Sequence, residues 1–277
     1  MTEGGLGRGR ITELNVYPLK SGGGTSLERA EMTPRGLRYD REFMLITPEG
    51  AHLSQREVPR MALMRPAYDG EKLVVEVADP ALALTPFVHE PRAEGPAHDV
   101  TVHRKPCRGV DQGDEAAEWF SGLLGLECRL VRFPDGDTRP TGRGGGEVAY
   151  ADGYPLLVIS QESLDDLNSR LAEPLPMNRF RPNLVIEGWG RPFGEDHVRR
   201  MRVGGVEIEV VKPCGRCVLT TVDQDAGVRT REPLRTLAKF RNIGKEILFG
   251  QNAIPRTTGE IALGDEVEIL ETAEPPA

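Results

Sequence analysis

The chain has 277 residues, with 35 lysines and arginines against 43 aspartates and glutamates, which gives a formal net charge of −8. This acidic balance argues against a general nucleic-acid binder and against a protein held on an anionic membrane surface, because both need a basic face. Aromatic residues make up only 5%, whereas the 32 glycines and 22 prolines are typical of a protein rich in strands and turns.

The N-terminus, MTEGGLGRGR, carries no hydrophobic segment of the kind that directs secretion. No apolar run in the chain approaches the ~18 residues that a membrane-spanning helix needs. Four cysteines are too few for a disulfide scaffold. We therefore expect a cytoplasmic protein without a membrane partner, with a disordered segment at 1–10 and a frayed tail at 273–277.

Strands and turns fill the first part of the chain. Asp69-Gly70 predicts a hairpin between MALMRPAY and EKLVVEV, and Pro48-Glu49-Gly50 predicts a second turn. Further along, Gly204-Gly205 predicts another hairpin, and GDEVEIL alternates like a strand. The segment Thr138–Gly146, TRPTGRGGG, is expected to be a mobile loop near the junction of two parts.

Three helices are predicted. Asp114 is suited to cap a helix that stops at Gly125. Ser160 is suited to cap the segment SQESLDDLNSRLA, and Pro233 is suited to the first position of a helix that reaches Phe240. With the strands, these helices predict a β-rich α+β protein.

Two groups of residues in the first part could bind an anion. Lys20 and Ser21 precede three glycines, and together they offer an ammonium, a hydroxyl and backbone N–H groups to a phosphate. The alternative is a flexible loop with a solvated lysine. Arg41 lies directly before an apolar strand in YDREFMLI, where an arginine can bind phosphate or lie at the surface.

Similar residues recur in the second part. Arg179 and Arg181 lead into a strand in NRFRPNLVIEG, and Asp152-Gly153-Tyr154 precedes Pro155 in a turn. Asp152 could bind a ligand or merely close an Asx turn. Several basic groups beside a glycine loop, in an otherwise acidic chain, favour an anionic ligand. The histidines show no metal-ligand spacing, which disfavours a histidine-based zinc hydrolase: they are His52, His89, His98, His103 and His197.

The pair Cys214-Gly-Arg-Cys217 is the strongest candidate for chemistry, and four interpretations remain open. It lacks the second ligand pair of a zinc site. A thioredoxin-like dithiol should open a helix, whereas the β-branched residues that follow favour a strand. The two thiols could be structural, or a thiolate could ligate a transition metal.

Five strings occur in the order and spacing of a known family: NVYPLKSGGG, GLRYDREFMLI, RFRPNLVIEG, PCGRCVLTTVDQDAG and LFGQN. With them the chain resembles the MOSC family in its two-part form, the branch of the mitochondrial amidoxime-reducing components and their bacterial counterparts. The resemblance covers residues 12–270. It implies an N-terminal MOSC β-barrel domain at 11–130 and a MOSC domain with flanking helices at 131–272.

The resemblance also implies a molybdenum cofactor, which is molybdenum on a phosphate-bearing pterin dithiolene. Cys217 is then the metal ligand and the catalytic residue, and Cys214 has no assigned role. Asn252 departs from the aromatic residue of the eukaryotic relatives, which bears on substrate preference. The positions that match the cofactor-binding residues are Lys20, Ser21, Arg41, Asp152, Gly153, Tyr154, Arg181, Gly215, Arg216 and Asn252.

The activity that the resemblance implies is reduction of the N–O bond in N-hydroxylated compounds. The chain lacks the cysteine pattern of a ferredoxin domain, so electrons are expected from a separate ferredoxin, flavoprotein or cytochrome. It also lacks the domain that binds pyridoxal phosphate in cofactor sulfurases, so we expect no pyridoxal phosphate. The alternatives are a non-catalytic carrier of the cofactor or of sulfur, and a thiol–disulfide protein in which both cysteines matter equally.

Overall fold

The computed structural model describes residues 6–79, 82, 84–103 and 105–276. No helix in these ranges is both long and apolar enough to span a membrane. The α-helices of this part of the chain are α1 (Asp114–Leu124), α2 (Gln161–Asn168) and α3 (Leu234–Leu237). The strands of the first half are β1 (Gly9–Val16), β2 (Thr25–Leu27), β3 (Arg29–Thr33), β4 (Gly36–Leu37), β5 (Phe43–Ile46), β6 (Met64–Tyr68), β7 (Leu73–Val77), β8 (Phe87–His89), β9 (Ala97–Val102), β10 (Lys105–Asp111), β11 (Arg129–Arg132) and β12 (Arg139–Pro140). Those of the second half are β13 (Glu147–Val148), β14 (Leu156–Ser160), β15 (Leu184–Glu187), β16 (Val198–Val203), β17 (Val206–Gly215), β18 (Asn242–Ile243), β19 (Glu246–Pro255), β20 (Gly259–Ala262) and β21 (Glu266–Thr272).

A closed barrel forms the larger sheet. Its strands follow the order β14-β15-β1-β21-β16-β17-β19, and β19 pairs with β14 to close the ring. The neighbours are antiparallel except for β14 and β15, which run parallel. Closure leaves these strands without a free edge in the ring.

The barrel strands carry apolar residues on both faces. Leu156 and Val158 of β14 belong to the core inside the barrel, whereas Ile159 packs outward with α2 and α3. In β15, Leu184 points inward and Val185 points outward. This period of two produces one core within the barrel and a second between the barrel and its helices.

The first half of the chain builds a second sheet, of order β5-β11-β10-β9, and a smaller one of β6, β7 and β8. The four-stranded sheet is also covered on both faces. Phe43 and Leu45 of β5 contact the cluster that includes α1, and Met44 and Ile46 contact the cluster of Val131 and its neighbours. The β-rich α+β class predicted from the sequence is therefore confirmed.

Most predicted turns and caps are present. The hairpins at residues 69–70 and 204–205 join β6 to β7 and β16 to β17. Residues 47–51 form the predicted turn, with the N–H of Thr47 donating to the carbonyl of Ala51 at 2.8 Å. The Ser160 hydroxyl caps α2 by accepting from the N–H of Ser163 at 3.3 Å.

Several details differ from the sequence-based expectations. Gly113, with a φ of 97°, caps α1 and leaves Asp114 as its first helical residue. The third helix ends at Leu237, well before Phe240. The segment expected to be a loop, Thr138–Gly146, contains β12, which pairs with β13. The strand favoured after Cys217 is instead a single 3₁₀ turn, Val218–Thr221.

The N-terminus is more ordered than expected. Gly9 and Arg10 already pair with Val267 and Glu266 of β21. Residues 1–5, which were also expected to be disordered, lie outside the described residues, as does residue 277 of the tail. Strand β1 thus completes a barrel whose other strands all come from residues 156–272. The two parts of the chain are joined by strand pairing.

Candidate functional site

One cavity, of about 560 Å³, lies where loops of the first half meet β17 and β19 of the barrel. Residues from eight separate stretches of sequence line it, so folding brings together side chains as far apart in the chain as Lys20 and Asn252. All the residues that the family resemblance assigns to the site lie here: Lys20, Ser21, Arg41, Asp152, Gly153, Tyr154, Arg181, Gly215, Arg216, Cys217 and Asn252. Arg179, which the sequence also offered as an anion binder, does not line the cavity, and its Nη2 donates to Asp223 Oδ2 at 2.7 Å.

The cavity wall is electropositive. Two carboxylates, Asp152 and Glu246, also line it. In the described part of the chain, the lining cationic side chains outnumber these carboxylates threefold: they are Lys20, Arg41, Arg56, Arg181, Lys212 and Arg216. Such a concentration of positive charge in a chain of net charge −8 marks a site for an anion.

A buried tyrosine holds two of these arginines. The guanidinium carbons of Arg41 and Arg181 each lie 4.2 Å from the centroid of the Tyr17 ring. The Tyr17 hydroxyl donates to the carbonyl of Pro182 at 2.9 Å, which fixes the ring. Cation–π contact and packing therefore set the positions of both cations before any ligand arrives.

The two arginines differ in their partners. Arg41 Nη1 lies 2.5 Å from Asp40 Oδ2 and donates to Asn183 Oδ1 at 3.2 Å. Arg181 is 7% exposed and donates to the carbonyl of Gly22; no carboxylate among the described residues forms an ion pair with it, although the charges of Asp40 and Asp152 act on it from a distance. Burial lowers the pKa of Arg181 to about 10. A buried cation without an anion costs stability, so this side chain is suited to an anionic ligand.

Backbone strain is concentrated at the same cavity. Six non-glycine residues in the described ranges have positive φ, and four of them line the cavity: Ser21, Arg41, His103 and Arg181. Left-handed backbone is unfavourable for such residues and persists where the surrounding structure imposes it. At these four positions the left-handed backbone directs a polar side chain into the cavity.

The carboxylate of Asp152 joins three basic side chains from the first half of the chain. Asp152 accepts from Lys20 Nζ through Oδ1, and its Oδ2 lies 2.9 Å from His103 Nε2 and 3.3 Å from Arg56 Nη2. Lys20 also donates to the carbonyl of Tyr150 at 2.9 Å. Burial by itself raises the pKa of Asp152, but Lys20 and His103 outweigh it and hold that pKa well below its ordinary value. The carboxylate therefore stays charged.

The two cysteines of the CxxC pair have different surroundings. Cys217 is exposed, and Arg56 Nε donates to its sulfur at 3.4 Å. Cys214 is half-buried and accepts from Arg216 Nη1 at 3.1 Å. Among the described residues, no group of three or more His, Cys, Asp and Glu could hold a metal ion. A metal at Cys217 must therefore bring most of its ligands with it.

The sequence did not single out several lining residues. Asn183 lies within the string RFRPNLVIEG, and its amide donates to the carbonyl of Asn15 at 3.1 Å and to Asp40 Oδ1 at 3.1 Å. Arg56, His103 and Glu246 stand in segments without a local motif. Only folding places them in this cavity, so no signal in the sequence could have identified them.

Two protein-family models match the chain. The family model described as the MOSC N-terminal beta barrel domain matches residues 8–127, and the MOSC domain model matches residues 145–268.

Curated proteins match nearly the whole chain. The mouse protein named mitochondrial amidoxime-reducing component 1 is 38% identical over 95% of this chain and 82% of its own length. The bovine mitochondrial amidoxime reducing component 2 is 34% identical over 94% of this chain and 82% of its own length. The zebrafish amidoxime-reducing component 1 is 34% identical over 94% of this chain and 84% of its own length. The chain therefore belongs to the MOSC family, in the form in which an N-terminal β-barrel domain precedes the MOSC domain.

Proposed function

We propose that this protein binds a molybdenum cofactor through Cys217 and reduces N-hydroxylated compounds. The observation that carries the proposal is an exposed thiol in the wall of a cavity that also holds six cationic side chains. A soft sulfur ligand beside an anion-binding surface suits a metal carried on a phosphate-bearing organic group. The names of the relatives, which are amidoxime-reducing components, indicate the class of substrate.

The residues present fit the anionic part of such a cofactor. Arg181 is buried and forms no ion pair with a carboxylate of the described ranges. Lys20 is 5% exposed, and burial lowers its pKa against the opposing charge of Asp152. A phosphate would relieve the unpaired charge of Arg181, and Ser21 could donate its hydroxyl. The Nε of Arg216 is buried without a partner in the described part of the chain, so it offers a further donor.

Cys217 would hold the metal from one side and leave its other positions to the cofactor and the substrate. When bound, the cofactor supplies the two-electron chemistry that reduction of an N–O bond requires. Phe180, Leu156 and Leu157 line the same cavity and exclude water from part of it. Electrons would come from a separate ferredoxin, flavoprotein or cytochrome.

The test is elemental and pterin analysis of the protein produced in a host that makes the cofactor. We expect about one molybdenum per chain in the wild type and at least a tenfold loss in Cys217→Ala, since removing a metal ligand removes most of the affinity. Cys214→Ala is the matched control, because its sulfur is half-buried and bonded to Arg216. We expect it to retain most of the metal.

Turnover of benzamidoxime with a chemical reductant completes the test. Activity that tracks the molybdenum content across the three proteins supports the reductase. A wild type with full molybdenum and no turnover would favour the carrier alternative. The dithiol alternative would be supported instead by a wild type that contains neither molybdenum nor pterin and in which Cys217→Ala and Cys214→Ala change turnover equally.

A further inference from the structure

The reduction of an N–O bond consumes protons as well as electrons, and the cavity holds one imidazole. His103 follows β9 and lines the cavity beside Asp152, with 41% of its side chain exposed. Its φ of +49° lies in the left-handed region. The side chain thus borders both the solvent and the interior of the site, as a group that exchanges protons with water must.

The partner of this imidazole is a carboxylate that stays charged. His103 Nε2 lies 2.9 Å from Asp152 Oδ2, and the pKa of Asp152 is held well below its ordinary value. Lys20 and Arg56 contact the same carboxylate. A histidine oriented by a carboxylate is a common arrangement for a general acid, because the carboxylate stabilises the protonated ring and fixes its direction.

A second histidine packs against the first but does not line the cavity. The rings of His52 and His103 are 5.9 Å apart, and His52 Nδ1 lies 3.0 Å from the carbonyl oxygen of Thr101. Burial, with the charge of Lys20 adding to it, lowers the pKa of His52 below its ordinary value. His52 therefore stays neutral near pH 7, so its ring does not add a positive charge beside His103.

The acidic residues that follow the CxxC pair in sequence do not serve this role. Asp223 binds Arg179 Nη2 at 2.7 Å, and Asp225 binds Arg65 Nη2 at 3.0 Å. Neither residue lines the cavity. The pKa of Asp152 is held well below its ordinary value, so near neutral pH its carboxylate has no proton to give.

We propose that His103 is the proton donor of the reaction, an inference that rests on the proposed reductase function. The overall change is R–NHOH + 2e⁻ + 2H⁺ → R–NH₂ + H₂O. The N–O bond breaks, the electron-donor protein supplies two electrons, and the imidazolium of His103 gives one proton to the departing oxygen. The second proton comes from water, which also reprotonates the ring. Asp152 acts as the positioning residue.

The experiment compares wild-type holoenzyme with His103→Gln, and uses His52→Gln as the matched control. Molybdenum and pterin contents are measured first, and we expect all three proteins to be equal. Turnover of benzamidoxime is then followed across pH with excess chemical reductant. We expect His103→Gln to lose about 10²-fold in kcat with little change in KM, as loss of a general acid does. His52→Gln should stay within about twofold of the wild type.

Two further measurements separate a proton donor from a structural side chain. Added imidazole should restore part of the kcat of His103→Ala, since it can fill the vacated space at the open side of the cavity. In the wild type, saturating benzamidine, the product, should slow modification of His103 by diethyl pyrocarbonate several-fold, as read by mass spectrometry, and leave His98 unaffected.

The possible results distinguish a wrong proton donor from a wrong function. Active wild type with a His103→Gln variant of equal kcat and pH profile would overturn the assignment of the proton donor and leave the reductase intact. Loss of molybdenum in His103→Gln would also overturn it, because the ring would then hold the cofactor. A wild type that carries molybdenum but reduces no N-hydroxylated compound would remove the proposed function itself.

Discussion

At the residue scale, the two arginines on either side of Tyr17 show how differently a protein can hold a cation. Arg41 is paired with Asp40, whose side chain is 1% exposed and whose pKa is raised by burial. Among the described residues, Arg181 contacts the carbonyl of Gly22 and the face of Tyr17 and forms no ion pair with a carboxylate. Its pKa falls from 12.5 to about 10, which corresponds to a cost on the order of 3 kcal/mol. We therefore expect Arg181 to lower the stability of the protein when no anion is bound.

The two arginines therefore predict opposite changes in the stability of the cofactor-free protein. Arg181→Met should raise the free energy of unfolding by about 1–3 kcal/mol, because it removes an unpaired buried charge. Arg41→Met should lower the free energy of unfolding by roughly 3 kcal/mol, because the buried carboxylate of Asp40 then loses its cationic partner. Urea unfolding of the three proteins measures both changes. A loss of stability in Arg181→Met as large as in Arg41→Met would contradict the assignment of Arg181 to an anion.

At the element scale, the start of α2 is tied to the 3₁₀ helix Gly194–His197 by a buried carboxyl group. Glu195 Oε2 accepts from the hydroxyls of Ser160 and Ser163 at 2.6 and 2.8 Å, whereas its Oε1 is buried without a partner in the described residues. Glu195 is fully buried, and burial raises its pKa from 4.5 to about 7. The helix cap thus depends on a group that titrates near neutrality.

This carboxyl group predicts a specific pH dependence. The folded protein binds the proton of Glu195 more tightly than the unfolded chain does, so its contribution is complete below about pH 4.5 and is lost as pH rises to about 7. The loss is about 3 kcal/mol for a shift of this size. Glu195→Gln mimics the protonated form and should remove that decline.

The measurement is urea unfolding of both proteins at pH 5 and pH 8, and the quantity compared is the change between the two values. Glu187→Gln is the control, because Glu187 is half-exposed and pairs with Arg10 at the surface. A wild type and a Glu195→Gln variant with the same decline would show that this carboxyl group is not the one that titrates.

At the scale of the whole molecule, the two parts of the chain exchange strands. β1 fills the place between β15 and β21 in the barrel, and β20 from the second half pairs with β3 from the first. In a fragment of residues 131–277, β1 is missing, so β15 and β21 each have an unpaired edge and the barrel is open. The division at residue 130 that the resemblance implies stays a prediction, and strand pairing couples the two sides of it.

The strand exchange predicts that residues 131–277 do not fold alone. We expect the fragment to aggregate or to show no cooperative unfolding by circular dichroism. Residues 6–34, which contain β1 and β3, should restore a cooperative transition when joined to it through a flexible linker. A monomeric fragment 131–277 with cooperative unfolding and native strand content would contradict the prediction.

The sequence by itself determined features that depend on neighbouring residues and features that belong to complete family motifs. Strand alternation, the turns at residues 69–70 and 204–205 and the Ser160 cap depend on neighbours in the chain, and the family strings located Lys20, Arg41, Arg181 and Cys217. Tertiary structure alone decided the rest. The placement of β1 in the far barrel, the unpaired state of Arg181 and the contact of His103 with Asp152 join residues that are distant in sequence. No local pattern specifies them, because burial and pairing of charge depend on the packed environment of the whole chain.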